Sequence, residues 1–163
     1  MSHVLTLRRL VPADALEVLR IVQTPAVARW WGPPDPGFPL TDDPESVRLT
    51  IVVDGRVGGL IQYWEERDPM YRHAAVDVFL DPPLRGRGLG TEAVRRVVAL
   101  LIGERGHHRI TIDPAAANAR AIKAYEKVGF RVVGTMRQYE RDADGDGWHD
   151  GLLMELLADD LSP

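Results

Sequence analysis

The sequence contains no cysteine, which excludes disulfide bonds, cysteine-based zinc sites and a thiol nucleophile. Long hydrophobic runs are also missing. The longest, Val97 to Ile102, has six residues, whereas a membrane-spanning helix needs about 20. The first ten residues lack the apolar segment of a signal peptide and carry Arg8 and Arg9 instead. We therefore expect a soluble, cytoplasmic protein with no membrane partner.

The residues that are present suit one globular domain. A length of 163 residues with 45% hydrophobic residues is enough for one core, so we expect a single domain over residues 1–163. The net charge of −4 conceals two segments of opposite sign. Residues 85–131 hold ten Lys and Arg against four Asp and Glu, and residues 140–160 hold eight acids and one base. These segments predict an anionic and a cationic ligand, although solvated helix faces give the same counts.

The hydrophobic pattern predicts the element order βααβββαβαββ and hence a mixed α/β layered domain. Two β-rich runs, Leu49 to Val53 and Arg56 to Tyr63, flank Asp54-Gly55, a dipeptide typical of a two-residue hairpin turn. The segment Gly90 to Ile102 is apolar nearly all round and predicts a buried helix. The segment Trp30 to Pro44 holds five prolines and predicts a long loop.

Both ends of the chain also carry periodic patterns. Near the N-terminus, Leu16, Leu19 and Val22 recur at helical spacing and predict one face of a helix that opens at Pro12 and Asp14. Near the C-terminus, two β-rich runs predict the last strands, joined by a polar loop. The strands are predicted at Phe130 to Met136 and Gly151 to Leu157, and the loop at Asp142 to Asp150.

A glycine-rich turn, Arg85 to Thr91, lies between a predicted strand and a predicted helix. Its three glycines let a ligand approach the backbone closely, and a helix start presents free N–H groups that attract anions. The Walker pattern requires a lysine before the final Ser or Thr, which is missing here, and the dinucleotide pattern requires its third glycine one residue later. The turn therefore predicts a phosphate site of another type.

Arg85, Gly88 and Gly90 match the pattern Arg/Gln-x-x-Gly-x-Gly/Ala, which resembles the acetyl-CoA pyrophosphate loop of the GNAT acetyltransferases. Downstream, the run from Asn118 to Phe130 resembles the family's second motif. The resemblance implies the GNAT fold, a central mixed β-sheet flanked by helices, with strands that diverge to admit acetyl-CoA as cosubstrate. It also implies a set of cofactor-binding residues, namely Val78, Phe79, Leu80, Arg85, Gly86, Arg87, Gly88, Leu89, Gly90, Thr91, Asn118, Ala121 and Tyr125.

Three segments, Ala28 to Gly32, Val76 to Leu80 and Thr111 to Pro114, resemble the aminoglycoside 6′-N-acetyltransferases and their siderophore-type relatives. This resemblance implies acetylation of an aminoglycoside amine, at the 6′ position. The amine-binding residues expected are aromatic or acidic, as suits a polycationic acceptor. They are Trp30, Trp31, Tyr63, Glu65, Glu66, Asp77 and Asp113.

Acyl transfer to an alkyl amine requires the neutral amine, although such an amine has a pKa of about 10. Asp77, in an otherwise apolar strand, is the expected base, because desolvation would raise its pKa. The alternative is an Asp on the exposed strand face. The resemblance places Tyr125 at the position from which the family protonates the departing thiolate, and the alternative is that Tyr125 only packs or hydrogen-bonds the sulfur. Without a cysteine or a Gly-x-Ser-x-Gly elbow, direct transfer in a ternary complex is the predicted route.

Several alternatives remain open from sequence. The acceptor could be a protein N-terminus or a siderophore amine, or the chain could be a non-catalytic acyl-CoA-binding module. A calcium loop starting at Asp142 is disfavoured because its twelfth position is Leu153, and the histidines lack metal-ligand spacing, so no metal is expected. The acidic overall balance disfavours a nucleic-acid partner. Both a monomer and a homodimer fit the sequence.

Overall fold

The computed structural model describes residues 2–163 and is built around one seven-stranded sheet of order β1-β2-β3-β4-β5-β7-β6. Neighbouring strands are antiparallel except β4 and β5, which are parallel. The strands are β1 (Leu5–Arg9), β2 (Ser46–Val53), β3 (Arg56–Glu65), β4 (Ala74–Leu80), β5 (Arg109–Ile112), β6 (Arg131–Arg141) and β7 (Trp148–Leu157). The helices are α1 (Ala15–Val22), α2 (Pro25–Trp31), α3 (Leu89–Gly103) and α4 (Ala119–Val128). The predicted element order is confirmed.

Helices cover both faces of the sheet. The larger apolar cluster lies between the sheet and α3 with α4, and includes Val76 and Leu80 of β4. The smaller cluster lies on the opposite face, where α1 and α2 cover Leu60 and Phe79. Side chains alternate between the faces along a strand, so Asp77 lies on the face covered by α1 and α2. No helix within residues 2–163 is both long enough and apolar enough to cross a membrane.

Two helix predictions are wrong in detail. Leu16 is 84% exposed, and α1 instead buries Val18, Ile21 and Val22, because the helix begins only at Ala15, after a short 3-10 turn. Helix α3 is amphipathic rather than buried all round. Its outer face includes Arg96, which donates to Glu92 at 2.8 Å, and the exposed Ala99, whereas its inner face packs on the sheet.

The hairpin of β6 and β7 is longer than the sequence predicts. Residues 137–141 and 148–150, most of them polar, are in strands, because β6 is an edge strand and tolerates largely exposed side chains. The loop between the strands is therefore only residues 142–147.

Two other loop predictions can be compared with the structure. Trp30 and Trp31 belong to α2, and the proline-rich loop begins at Gly32, whose φ is +71°. The Asp54-Gly55 hairpin turn is confirmed, with φ of 51° and 80°.

The parallel strands β4 and β5 pair over only two residues. Ala74 lies opposite Ile110 and Ala75 opposite Thr111, and β4 then continues to Leu80 without a partner on that side. The divergence expected of the family is thus present. Backbone groups of β4 beyond Ala75 are left available on this edge, because β5 ends at Ile112. A cleft opens between the two strands at this point.

Candidate active site

Two adjoining pockets occupy the cleft. The first, here the acidic pocket, has a volume of about 530 Å³ and contains the carboxylates Asp77, Asp113 and Glu140. The second, here the cationic pocket, has a volume of about 590 Å³ and runs along the glycine-rich turn and α4. The pockets share five wall residues, namely Trp30, Trp31, Val78, Asn118 and Tyr125. Ligands bound in both would meet at this shared wall.

The glycine-rich turn has the backbone geometry of an anion cradle. Gly86 and Gly88 have φ of +78° and +76°, in the left-handed region that favours glycine, and Gly88 is the N-cap of α3. A Cβ on Gly90 would meet no protein atom within 4 Å, so this residue faces open space in the cationic pocket. The first-turn N–H groups of α3 have no helical acceptors, and they are free to bind an anion.

Positive side chains surround this cradle. Arg85 lines the cationic pocket, and burial, together with the nearby Arg120, lowers the pKa of its guanidinium. Arg120, Lys123 and Lys127 also line the pocket from α4. The sequence analysis missed these three, although their spacing of three and four residues places them on one helix face and would have revealed them. The pocket therefore suits a ligand with several negative charges.

Most of the expected cofactor residues line the cationic pocket, including Phe79, Leu80, Leu89, Thr91 and Ala121. Asn118 also caps α4, where its Oδ1 accepts from the Ala121 N–H at 3.3 Å, as predicted. Arg87 is the one expected cofactor residue that does not line this pocket.

Arg87 points away from both pockets. Its Nη1 lies 3.1 Å from Nε2 of His3, whose Nδ1 lies 2.7 Å from Asp54. The left-handed residues on either side of Arg87 turn its side chain toward the β2–β3 hairpin. The expectation that the Arg87 side chain binds cofactor is therefore corrected.

Asp77 is the central carboxylate of the acidic pocket. Its residue surface is exposed to the cleft, and partial desolvation of the carboxyl group by the pocket walls raises its pKa to about 6. The negative charges of Asp113 and Glu140 act in the same direction, whereas the side-chain amide of Gln62, opposite it on β3, acts against them. At neutral pH Asp77 is a carboxylate that accepts a proton more readily than a free aspartate.

Asp113 and Glu140 reach the pocket from different strands. Asp113 follows β5, and its Oδ2 accepts a hydrogen bond of 2.7 Å from the Tyr139 hydroxyl. Glu140 comes from β6, near the end of the long hairpin. Tyr139 and Glu140 are pocket residues that the sequence analysis missed, because nothing local in the sequence indicates that β6 extends over the cleft.

Tyr125 is buried between the two pockets. Burial raises the pKa of its phenol well above the ordinary value, and the negative charges of Asp77 and Asp113 raise it further. The hydroxyl therefore stays protonated across the physiological pH range and acts as a hydrogen-bond donor. The ring packs 6.3 Å from that of Phe130.

The two tryptophans of α2 form the outer wall of the cleft. Trp31 packs edge-to-face on Phe79 of β4, with ring centroids 4.8 Å apart, and so anchors α2 to the sheet. Trp30 lies under the guanidinium of Arg29 at 4.4 Å, which shows that its ring face is accessible to a cation. Both residues line both pockets, as their assignment to the acceptor site requires.

Three expected substrate residues lie outside the acidic pocket. Tyr63 is in the apolar cluster beneath α3, because strand alternation puts its neighbour Gln62 on the face of Asp77. Glu65 is the last residue of β3 and lies opposite Ala74, at the start of β4. One oxygen of its carboxylate accepts a hydrogen bond from Arg105 at 2.7 Å, and the other lies 2.6 Å from Nε2 of His107. Glu66 accepts from a backbone N–H in the β3–β4 loop at 3.0 Å. Their assignment to the substrate site is corrected.

The remaining sequence questions concern metal ligands. Within residues 2–163, no cluster of three or more His, Asp or Glu has an arrangement that could hold a metal ion. In the acidic hairpin loop, Oδ1 of Asp142 lies 3.0 Å from Nδ1 of His149 and accepts a hydrogen bond when that nitrogen carries a proton. The loop also accepts backbone hydrogen bonds of its own, as in ordinary polar turns.

Comparison with known proteins decides the family. Residues 15–130 match the family model described as the acetyltransferase (GNAT) family. The chain belongs to this family. It is an N-acetyltransferase of GNAT type, and the fold shown above is the GNAT fold.

Individual GNAT relatives act on different amines. The chain is 29% identical over 154 residues to the aminoglycoside N(6′)-acetyltransferase type 1 of Klebsiella pneumoniae, covering 80% of this chain and 76% of the relative. It is 25% identical to the spermidine N(1)-acetyltransferase of Escherichia coli, covering 83% and 77%. The solved aminoglycoside acetyltransferase AAC(6′)-Ib, in complex with coenzyme A, is 25% identical with a TM-score of 0.76, covering 96% of each chain.

Proposed function

We propose that this GNAT enzyme transfers the acetyl group of acetyl-CoA to a primary amine of an aminoglycoside, at the 6′ position, by direct transfer in a ternary complex. The observation that carries the proposal is the meeting of two oppositely charged pockets at a shared wall. Val78 and Tyr125 belong to this wall, and Asp77 adjoins it in the acidic pocket. A polyanionic donor and a polycationic acceptor would bring their reacting atoms together there.

The cationic pocket fits coenzyme A. Its glycine cradle has room where a side chain would otherwise project, and four basic residues supply charge for phosphates. The unpaired edge of β4 offers backbone groups to the pantetheine arm, which resembles a short peptide. Bound in this way, acetyl-CoA would place its thioester beside the shared wall, with a β4 N–H near Val78 available to the oxyanion.

Asp77 would act as the base. The acceptor amine arrives as an ammonium, so two protons must leave its nitrogen. The one released after attack passes to the CoA thiolate or to water, and the first must be removed before the nitrogen can attack the thioester. A carboxylate with a pKa of about 6 is ionised at neutral pH and accepts that proton, directly or through water. The C–N bond forms, the tetrahedral centre collapses, and the C–S bond breaks to release the CoA thiolate.

Tyr125 would serve the leaving group as a hydrogen-bond donor. A thiol has a pKa of about 8.5, below that of a phenol, so complete proton transfer from Tyr125 to the thiolate is uphill. The raised pKa of Tyr125 increases this difference. A hydrogen bond from the buried hydroxyl still stabilises the developing negative charge on sulfur.

The acidic pocket suits an amino sugar with several amines. Asp77, Asp113 and Glu140 can each face an ammonium group, and the rings of Trp30 and Trp31 can pack on a sugar face or a cation. A volume of about 530 Å³ is in the range of pockets that hold small molecules. The same charges would also attract a linear polyamine, so spermidine is the second candidate, favoured by the spermidine-acetylating relative.

The acceptor is tested by measuring CoA release from acetyl-CoA with kanamycin, tobramycin, spermidine, a lysyl siderophore precursor and basic peptides. We expect the highest kcat/KM with an aminoglycoside and acetylation at its 6′-amine by mass spectrometry and NMR. Preference for spermidine would support the second candidate. Turnover only with peptides would overturn both, and CoA binding without any turnover would indicate a non-catalytic module.

The cofactor site is tested with Gly90→Val. The backbone of Gly90 does not need positive φ, and no protein atom lies within 4 Å of its Cβ position, so the variant should fold normally. The added side chain would occupy space that the phosphates need, and we expect at least a tenfold increase in Kd for CoA by calorimetry. The control is Gly103→Val, at the far end of α3, where open space is also available. Equal CoA affinity in both variants would contradict the assignment of this pocket.

A further inference from the structure

A bulge in β6 brings two consecutive side chains into the acidic pocket. Met136 pairs with Gly151 and Glu140 pairs with His149, so the residues 137–139 lie opposite Asp150 alone. Strand alternation would send consecutive side chains to opposite faces of the sheet. The irregularity lets Tyr139 and Glu140 both line the pocket.

The bulge is held by a specific backbone contact. Gln138 has a φ of +48°, one of two positive values among non-glycine residues in the described chain 2–163. Its N–H donates to Oδ1 of Asp150 at 2.8 Å, so the turn of the backbone is fixed from the opposite strand. Without this acceptor the N–H would have no strand partner, because the ladder is interrupted at this point.

The Tyr139 ring lies in a notch that only glycine leaves open. A Cβ on Gly151 would come within 2.8 Å of the ring carbon Cδ2 and 3.2 Å of the methyl carbon of Met136. Gly151 is itself buried. The ring is therefore seated against the β7 backbone, with its hydroxyl extended toward the end of β5.

From this arrangement we infer that Tyr139 is a positioning residue for the acceptor, which it serves by fixing the carboxylate of Asp113 through its 2.7 Å hydrogen bond. The inference rests on the proposed function. One Asp113 oxygen is occupied by Tyr139, and the other remains for an ammonium group of the acceptor. Asp150 contributes indirectly, because it accepts the Gln138 N–H and so stabilises the bulge that orients Tyr139.

Holding the Asp113 carboxylate in place before the amine arrives would favour amine binding. Asp77 and Asp113 are like charges in one pocket and repel each other. An unrestrained Asp113 side chain would rotate toward solvent, away from Asp77. A hydrogen bond from a neutral phenol holds it in the pocket in advance, so less ordering is needed when the amine binds.

The first test is Tyr139→Phe, which retains the ring in its notch and removes only the hydroxyl. We expect the Kd and KM of the acceptor amine to rise about fivefold to tenfold, since the net contribution of a typical hydrogen bond corresponds to a change of this size. The KM for acetyl-CoA and the melting temperature should be unchanged, and a merely structural role would not produce this division. The matched control is Tyr71→Phe, an exposed tyrosine in the β3–β4 loop outside both pockets.

The second test is a double-mutant cycle with Asp113→Asn. If Tyr139 acts through the carboxylate, the two substitutions together should weaken amine binding little more than Asp113→Asn alone. Full additivity would overturn the inference. For the bulge, Asp150→Ala should resemble Tyr139→Phe, whereas Asp150→Asn keeps an oxygen acceptor and should restore amine binding.

Calorimetry of amine binding to the CoA-bound protein tests the role of Tyr139 and the proposed function separately. If the wild type binds and acetylates an aminoglycoside but Tyr139→Phe has an unchanged Kd, the inference fails and the proposed function stands. If no member of the amine panel binds the wild type, both fail. A higher Kd in Tyr139→Phe, non-additive with Asp113→Asn, supports both.

Discussion

Asp14, which is buried, and Asp77, which is exposed to the cleft, lie on the same side of the sheet, and the fold treats them in opposite ways. Asp14 accepts two hydrogen bonds from Arg8, at 2.6 and 2.9 Å, and others from Thr50 and the Val11 N–H. These partners hold its pKa down at about 2. Asp77 has no cation beside it, and partial desolvation raises its pKa to about 6.

The two carboxylates therefore differ in how the protein compensates their charge. The negative charge of Asp14 is fully compensated within the protein, so it joins β1, the 3-10 turn and β2. The charge of Asp77 is left uncompensated, next to two further carboxylates, and its stabilisation awaits a cationic ligand.

The substitution Asp77→Asn should give the largest effect on activity. Removal of the base should lower kcat by about 100-fold or more, with an unchanged Kd for CoA. The same substitution should stabilise the fold at high pH. Because the folded-state pKa lies above the unfolded value, wild-type stability falls as the pH rises from about 4 through about 6, and asparagine removes that loss.

This prediction is checked by steady-state kinetics and by thermal unfolding at pH 5 and pH 8. The melting temperature of Asp77→Asn should exceed that of the wild type more at pH 8 than at pH 5. The control is Asp42→Asn, an exposed aspartate in the loop before β2, which should change neither kcat nor stability. An unchanged kcat in Asp77→Asn would remove this residue as the base.

The substitution Asp14→Asn should affect stability and spare the chemistry. Its folded-state pKa of about 2 lies below the unfolded value of about 3.9, so the contribution of the carboxylate is present above pH 4 and lost as the pH falls toward 2. The corresponding loss at pH 7 is about 2 to 3 kcal/mol. Urea unfolding at pH 7 measures it, with Asp42→Asn again as control. A large drop in kcat for the folded variant would contradict the separation of roles.

The substitution Asp113→Asn should make Asp77 a weaker base. Desolvation is the main cause of the raised pKa of Asp77, and the charge of Asp113 is the second. Without that charge, the acid limb of the kcat/KM profile should move to lower pH by up to about one unit. The pH profile with one aminoglycoside measures the shift. An acid limb that stays in place would mean that another group limits the rate.

The substitution Gln62→Leu should shift the same limb slightly in the opposite direction. The amide of Gln62 lies opposite Asp77 and lowers its pKa, while its Oε1 accepts from Arg48 at 3.3 Å. Arg48, Gln62 and Asp77 lie side by side on the neighbouring strands β2, β3 and β4. Gln62 therefore separates Asp77 from Arg48. Loss of the amide should raise the pKa of Asp77 and move the acid limb of the kcat/KM profile to higher pH. A shift of this limb to lower pH would contradict the view that Asp77, unlike Asp14, lacks sufficient compensation of its charge.

The sequence by itself determined the features that depend on neighbours in the chain. The glycine-rich turn is readable because Gly86 and Gly88 adopt positive φ within a few residues of the α3 start, and Asn118 caps its own helix. Asp77 is predicted as the base because one carboxylate interrupts an apolar strand, and this role stays a prediction. These local relations suffice for the family and the order of elements.

Only the tertiary structure decided which charges share the acidic pocket. Glu65, only 12 positions from Asp77 in the chain, binds Arg105 and His107, whereas Glu140, 63 positions away in the chain, lines the pocket of Asp77. The register of β3 and β4, the early end of their parallel pairing with β5 and the bulge in β6 bring this about. These are pairings between distant segments, and a one-residue change in any of them would move each side chain to the other face of the sheet.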